Sequence, residues 1–158
     1  MSGPGAVAHL RAAAPADAAR LREIARAAYQ KYVPRIGREP MPMGADFAGQ
    51  IAAARVIVVE ADGTVAGYMV AWAECDAYYI DNIAVDPAHQ GRGLGRMLIA
   101  CAVRATRQHG LGAIRLYTNA AMRENLAIYA RIGFVETRRA SEDGFDRVFM
   151  RWDLPADG

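Results

Sequence analysis

Lysine is almost missing from this chain. Of its nineteen basic residues eighteen are arginine and Lys31 is the one lysine, so planar guanidinium groups supply nearly all cationic recognition. Only two cysteines occur, Cys75 and Cys101, and both read as thiols of an intracellular protein. Cys101 falls among Leu98, Ile99 and Val103 and is expected in the core; Cys75 lies near a turn with no histidine close by to activate it as a nucleophile. The three histidines, His9, His89 and His109, lack metal-site spacing, so each reads as a surface residue and no metal is expected. No apolar run approaches the ~18 residues that span a bilayer, and residues 1–5 lack the basic and apolar regions of a targeting signal. They read as a frayed end, and a cytoplasmic location with no membrane partner follows. A net charge of +2 is too small to point to nucleic acid as the main partner. Internal repeats and low-complexity tracts are absent as well.

What is present suits one α+β domain with a mixed sheet. The 158 residues, 53% hydrophobic and 23% charged, are enough to bury well over half of the unfolded surface. A first strand is expected over 6–13, then a helix opened by Pro15-Ala16-Asp17 with apolar positions at Ala18, Leu21, Ile24, Ala25 and Ala28, stopped by Pro34. The Pro/Gly-rich segment 32–44 reads as a loop and 45–54 as a short helix. Segments 55–60 and 65–73 form a hairpin about Asp62-Gly63, and 78–85 another strand. A helix over 94–109, a strand over 113–117, a helix over 122–132 closed by Gly133, and strands over 134–139 and 145–152 complete the chain, with a loose tail at 153–158.

The most informative stretch is Gln90-Gly91-Arg92-Gly93-Leu94-Gly95, set between the strand ending at Val85 and the helix that follows. Glycines at alternate positions let a backbone approach an anion closely, and the next helix adds unpaired N–H groups and the positive end of its dipole. A dinucleotide fingerprint would need glycine where Arg96 stands. A Walker loop would need Gly-Lys-Ser/Thr, which does not occur.

The remaining pattern, Gln/Arg-x-x-Gly-x-Gly/Ala, is filled by Gln90, Gly93 and Gly95 and resembles the pyrophosphate loop of the GNAT superfamily of acyl-CoA N-acyltransferases. The resemblance extends through Asp81-Asn82-Ile83-Ala84-Val85-Asp86-Pro87, Tyr117-Thr118-Asn119 and Tyr129-Ala130-Arg131-Ile132-Gly133-Phe134, and covers roughly residues 5–153. It implies a mostly antiparallel sheet of six to seven strands flanked by about four helices, with two central strands splayed apart. It also implies acetyl-CoA as acyl donor, bound through Gln90, Gly91, Arg92, Gly93, Leu94, Gly95 and Arg96, with the pantetheine arm along the edge of Ile83, Ala84 and Val85. One of those backbone N–H groups would stabilise the developing oxyanion, worth ~3 kcal/mol in comparable sites.

Tyr129 stands where the superfamily places the general acid, and Asn125, one helical turn earlier, or Asn119 is implied to bind the cofactor. Family members often carry that asparagine seven residues before the tyrosine, where this chain has Met122. A base must deprotonate the amine; Asp81, in strand parity with Ile83 and Val85, and Glu74 are the candidates. The resemblance places the acceptor against the first two helices, offering Tyr29, Tyr32, Arg35, Arg38, Met41 and Met43, with Tyr79 from the sheet. The implied activity is N-acetylation of a small amine. Acetylation of a protein N-terminus or lysine is the enzymatic alternative, and a non-catalytic acyl-CoA sensor the alternative of another class. A homodimer is compatible with the resemblance, with no interface legible.

Overall fold

The computed structural model describes residues 7–156; the end at 1–5 lies outside them. The seven strands are β1 (His9–Ala12), β2 (Val56–Ala61), β3 (Thr64–Ala73), β4 (Tyr78–Val85), β5 (Ala113–Asn119), β6 (Val135–Glu142) and β7 (Phe145–Asp153). The helices are α1 (Ala18–Tyr29), the single turn α2 (Val33–Ile36), α3 (Phe47–Ala52), α4 (Leu94–Gln108) and α5 (Arg123–Ile132). Among the described residues, no helix is long and apolar enough to cross a membrane.

Three expectations need correcting. Pro34 does not stop the first helical segment: a 3-10 turn at Gln30–Tyr32 leads into α2, with Pro34 in its first turn. An N–H there has no helical partner to lose, and the run ends instead at Gly37, with φ 87°. The short helix expected over 45–54 is trimmed to α3 because Asp46 caps it, its carboxylate accepting from the Gly49 N–H at 3.0 Å. The tail is held as far as Pro155: the Leu154 N–H donates to the Gly112 carbonyl at 2.8 Å and Arg107 donates to the Pro155 carbonyl at 3.1 Å.

The strand order is β1-β2-β3-β4-β5-β7-β6, antiparallel except for the parallel pair β4–β5. The hairpin between β2 and β3 turns on Asp62 and Gly63, both at positive φ, as a tight turn matching strand twist requires. Helix α4 sets Leu94, Leu98, Ile99 and Ala102 on one face of the sheet with Val59, Met69, Ile80, Ile114 and Val148. The opposite face takes Leu21, Ile24 and Ala25 of α1 and Phe47 and Ile51 of α3, against Val58, Tyr68 and Val70.

Two irregularities in β4 shape the centre of the molecule. Its pairing with β5 covers only Tyr78–Ile80 against Ile114–Leu116, after which the strands part. Its pairing with β3 slips between Val70 and Ala71, whose partners are Asn82 and Ile80, so Asp81 is the extra residue of a β-bulge. The bulge inverts the alternation of side chains. Ile80 and Ile83 therefore pack into the same cluster, on the α4 face.

Candidate active site

Beyond the point of parting, β4 has an open edge. The Asp86 N–H donates to the Ala66 carbonyl on β3 at 2.8 Å, and alternation along an antiparallel strand then turns the backbone groups of Ala84 toward β3 and those of Ile83 and Val85 toward the gap. Of the three residues expected to offer N–H groups there, Ala84 is thus excluded. The Ile83 carbonyl already has a partner, the Tyr29 hydroxyl at 2.9 Å. Next to it Asn82 is only 4% exposed; its Oδ1 accepts from the Tyr68 hydroxyl at 2.8 Å, while its Nδ2 has no partner among the described residues.

The open edge leads into the glycine loop. Asp86 anchors the start, accepting from the Ala88 N–H at 3.0 Å and from Arg20 of α1 at 2.6 Å. Gly91 and Gly93 both take left-handed φ near 80°, and a Cβ built on either would meet nothing within 4 Å. Only glycine enters that region without strain, so these residues shape the turn while the space before it stays open. Among the described residues, no chain acceptor meets the N–H groups of residues 91–96. Together with the N-terminus of α4 they form a cradle suited to an anion. Arg92 reaches back to Asp62 at 2.8 Å, so its charge faces the β2–β3 turn. Gln90 and Arg96 are exposed at the rim of the loop, and Leu94 is buried beneath it.

A cavity of about 340 Å³ lies where β4 and β5 part, bounded by α1, the 40–46 segment, α5 and β7. Asp81, Tyr129, Asn125 and Asn119 all line it. Asp81 is not in phase with Ile83 and Val85, as parity suggested, because the bulge turns it toward Tyr79 and Arg55. Burial holds its carboxyl above the usual range, partly offset by the Arg55 charge and the Tyr79 hydroxyl. Burial likewise pushes the Tyr129 hydroxyl well above its ordinary value, so it remains protonated at neutral pH. Its ring packs edge-on against Phe134 at 5.7 Å. Asn125 Nδ2 lies 3.6 Å from the Met122 sulfur, and Asn119 Oδ1 accepts from the Ala121 N–H at 2.9 Å.

Six expected site residues stand elsewhere, among them Arg38, which lies over the Phe145 ring and donates to the Asp143 carbonyl at 3.1 Å. Glu74 pairs with Arg115 at 2.6 Å on the exposed surface, outside the cavity. Tyr32 is buried in the α1 cluster, with Lys31 and Arg35 over its ring. Arg35 pairs with Glu124 of α5 at 2.6 Å. Met43 packs into the same cluster while Met41 lines the cavity, because the 3-10 turn at Met41–Gly44 sends the two methionines different ways. Tyr79 packs behind the wall, between Trp72 and Tyr117 at 5.2 and 6.5 Å. Sequence reasoning missed Asn82 and Arg147 as cavity residues. Asn82 had a readable signal, an amide at an inward position of an apolar strand; Arg147 had none.

A model of the acetyltransferase (GNAT) domain matches residues 52–136, more than half of the chain and all of β4, the glycine loop and α5. The chain belongs to the GNAT acetyltransferase family. As a GNAT domain it is 42% identical over 52 residues to the mycothiol acetyltransferase of Nocardia farcinica, covering 33% of this chain and 17% of that protein. It is 34% identical over 76 residues to the [ribosomal protein bS18]-alanine N-acetyltransferase of Salmonella typhimurium, covering 48% and 51%. The chain thus spans a minor part of the first and about half of the second. In fold it is similar to the PaiA N-acetyltransferase of Thermoplasma acidophilum, solved with coenzyme A: TM-score 0.76, 16% identity, 94% of this chain and 99% of that one.

Proposed function

We propose that this chain is an acetyl-CoA-dependent N-acetyltransferase that modifies the primary amine of a small metabolite by direct attack in a ternary complex. The observation that carries this reading is the continuity of the open β4 edge at Ile83 and Val85 with the anion cradle at 91–96 on one side and the cavity holding Asp81 and Tyr129 on the other. The residues present fit the donor: a cradle left open at Gly91 and Gly93 for its pyrophosphate, an unpaired strand edge for its amide-bearing arm, and an orphaned buried donor, Asn82 Nδ2, beside that edge. Bound acetyl-CoA supplies a thioester whose acyl carbon forms a bond to the amine nitrogen as its bond to sulfur breaks.

The chain's own residues do the rest. Asp81 takes a proton from the ammonium form of the acceptor, a carboxylate whose raised pKa makes it a better base than an exposed one. The Ile83 or Val85 N–H, aimed into the gap, stabilises negative charge on the acyl oxygen. A second proton leaves the nitrogen for solvent as the amide forms, and Tyr129 donates one to the departing sulfur. Asn125 and Asn119 line the path of the arm, and Arg96 stands at the rim of the phosphate cradle, while Arg92 is held by Asp62. A protein N-terminus as acceptor is the second reading, supported by the likeness to the Salmonella enzyme; the bounded cavity favours the smaller acceptor.

The test is the melting temperature with increasing acetyl-CoA. At 100 times the dissociation constant the ligand adds about 2.7 kcal/mol, or about 5–10 °C for a chain of this size. Gly93→Glu should abolish the shift, while Gly93→Ala, with the same backbone strain and no carboxylate, should keep part of it. No shift in the wild type at millimolar acetyl-CoA sinks the enzymatic reading.

A further inference from the structure

Arg147 is a costly residue to bury for folding alone. Its side chain is 11% exposed, it projects from β7 with the guanidinium carbon 4.7 Å from the centre of the Tyr117 ring, and it lines the cavity. Nη1 donates to Glu142 at 3.2 Å, a residue with 42% of its side chain exposed. Among the described residues, Nε and Nη2 donate to nothing. A planar fork with free donors on a cavity wall matches a carboxylate.

Asp81 lines the same cavity from β4, and no ion pair joins it to Arg147. Both act on one ring between them: burial raises the Tyr117 hydroxyl pKa, Arg147 opposes that rise and Asp81 adds to it. The remaining charged group on the wall, Asp46, is committed to capping α3. The cavity thus offers one negative and one positive group, unneutralised by each other, with Leu116, Met41 and Phe145 as apolar surface around them.

We propose that Arg147 binds a carboxylate of the acceptor, and that the acceptor is therefore a small zwitterion, an α-amino acid or close analogue, with its ammonium group at Asp81. This rests on the N-acetyltransferase reading and narrows it: a protein N-terminus carries no carboxylate beside its amine, and a simple amine none at all.

The experiment presents the full chain, with saturating acetyl-CoA, to the twenty free L-amino acids and to each one's C-terminal amide, reading released thiol and product mass. Parallel thermal shifts with acetyl-CoA alone report donor binding. The expected result is a free acid whose KM lies about 10–100-fold below that of its amide, the range for a charge-assisted hydrogen bond. Arg147→Gln should close that gap by raising the KM of the acid about 10–100-fold more than that of the amide, and Arg147→Lys should restore part of it. Amides used as well as acids by the wild type, or no turnover of any panel member despite donor binding, overturns the zwitterion proposal; the first of these leaves acetyl transfer intact, and the second leaves the donor site intact. Failure to bind acetyl-CoA overturns the underlying reading as well. The comparison within the wild type requires no variant to fold.

Discussion

The hydroxyl of Tyr29 on α1 donates a 2.9 Å hydrogen bond to the main-chain carbonyl of Ile83 on β4, in the gap left where β4 parts from β5. A strand edge normally presents both N–H and C=O groups; here one exposed acceptor is already satisfied and the adjacent N–H groups stay available. The bond also fastens α1 to the strand. Tyr29→Phe keeps the ring among its buried neighbours and strands the carbonyl, so it should lose about 1–2 kcal/mol, or about 3–6 °C in Tm. A Tm within about 1 °C of the wild type would show that the contact contributes nothing.

Tyr129→Phe tests the proton donor. The ring contact with Phe134 survives the change, and among the described residues the hydroxyl has no hydrogen-bond partner to lose, so Tm should hold within about 2 °C, the equivalent of about 0.5 kcal/mol. Donor affinity should also hold, while kcat falls about 100-fold or more, the range for losing a positioned acid. Equal turnover by the variant would reduce Tyr129 to a packing residue.

The glycine loop, the Asp62-Gly63 hairpin and the β4 span were legible because each depends on local chemistry: left-handed φ at glycine, a tight-turn dipeptide, an apolar run of fixed length. The bulge at Asp81 was not. Burial still alternates along β4, buried at Tyr78, Ile80, Asn82 and Ala84, so the sequence pattern looks regular while the face it addresses changes after Ile80. Arg35, Arg92 and Glu74 were misplaced for another reason. Their partners, Glu124, Asp62 and Arg115, lie 89, 30 and 41 residues away, and nothing local reports which distant charge will claim a side chain. Of the two methionines expected at the acceptor site Met41 does line the cavity, and Met43 was misplaced because a 3-10 turn was not anticipated in a segment read as loop.

Glu74→Gln should leave kcat/KM within about twofold of the wild type. Its carboxylate is 39% exposed and held by Arg115, and exposed ion pairs contribute about 0–1 kcal/mol. A loss of activity of tenfold or more, measured with the same acceptor, would return Glu74 to the list of bases.

Asp17 ties the start of α1 to β1. It accepts from the Ala14 N–H at 2.7 Å and from both terminal nitrogens of Arg11 at 2.8 and 3.1 Å, and the Arg11 bond holds its carboxyl below the usual range. A carboxyl with a depressed folded pKa contributes stability that is complete above its unfolded value, about 4, and is lost as pH falls through the lower folded value. Asp17→Asn should therefore cost about 1 kcal/mol at pH 7, discounted for the partly exposed Arg11. The difference from the wild type should shrink below pH 4, and a constant Tm offset from pH 7 to pH 2.5 would contradict the linkage.

Asp81 has the opposite sign. Burial raises its folded pKa, with Arg55 and the Tyr79 hydroxyl only partly compensating, so the native state holds that proton more tightly than the unfolded chain does. Stability from this site is present at low pH and lost as pH rises through the folded pKa. At neutral pH the charged carboxylate is then a burden on the fold, which the proposed role as base would require, since a base must be ionised to act. Asp81→Asn should raise Tm by the equivalent of about 0.5–1 kcal/mol, as relieving a strained site commonly does, while lowering kcat about 100-fold or more. The wild-type kcat/KM should rise with pH through an acid limb above the ordinary aspartate range, and that limb should vanish in the variant. Were Asp81→Asn both less stable and fully active, the carboxylate would be a structural partner of Arg55, and the acceptor would have to lose its proton to solvent.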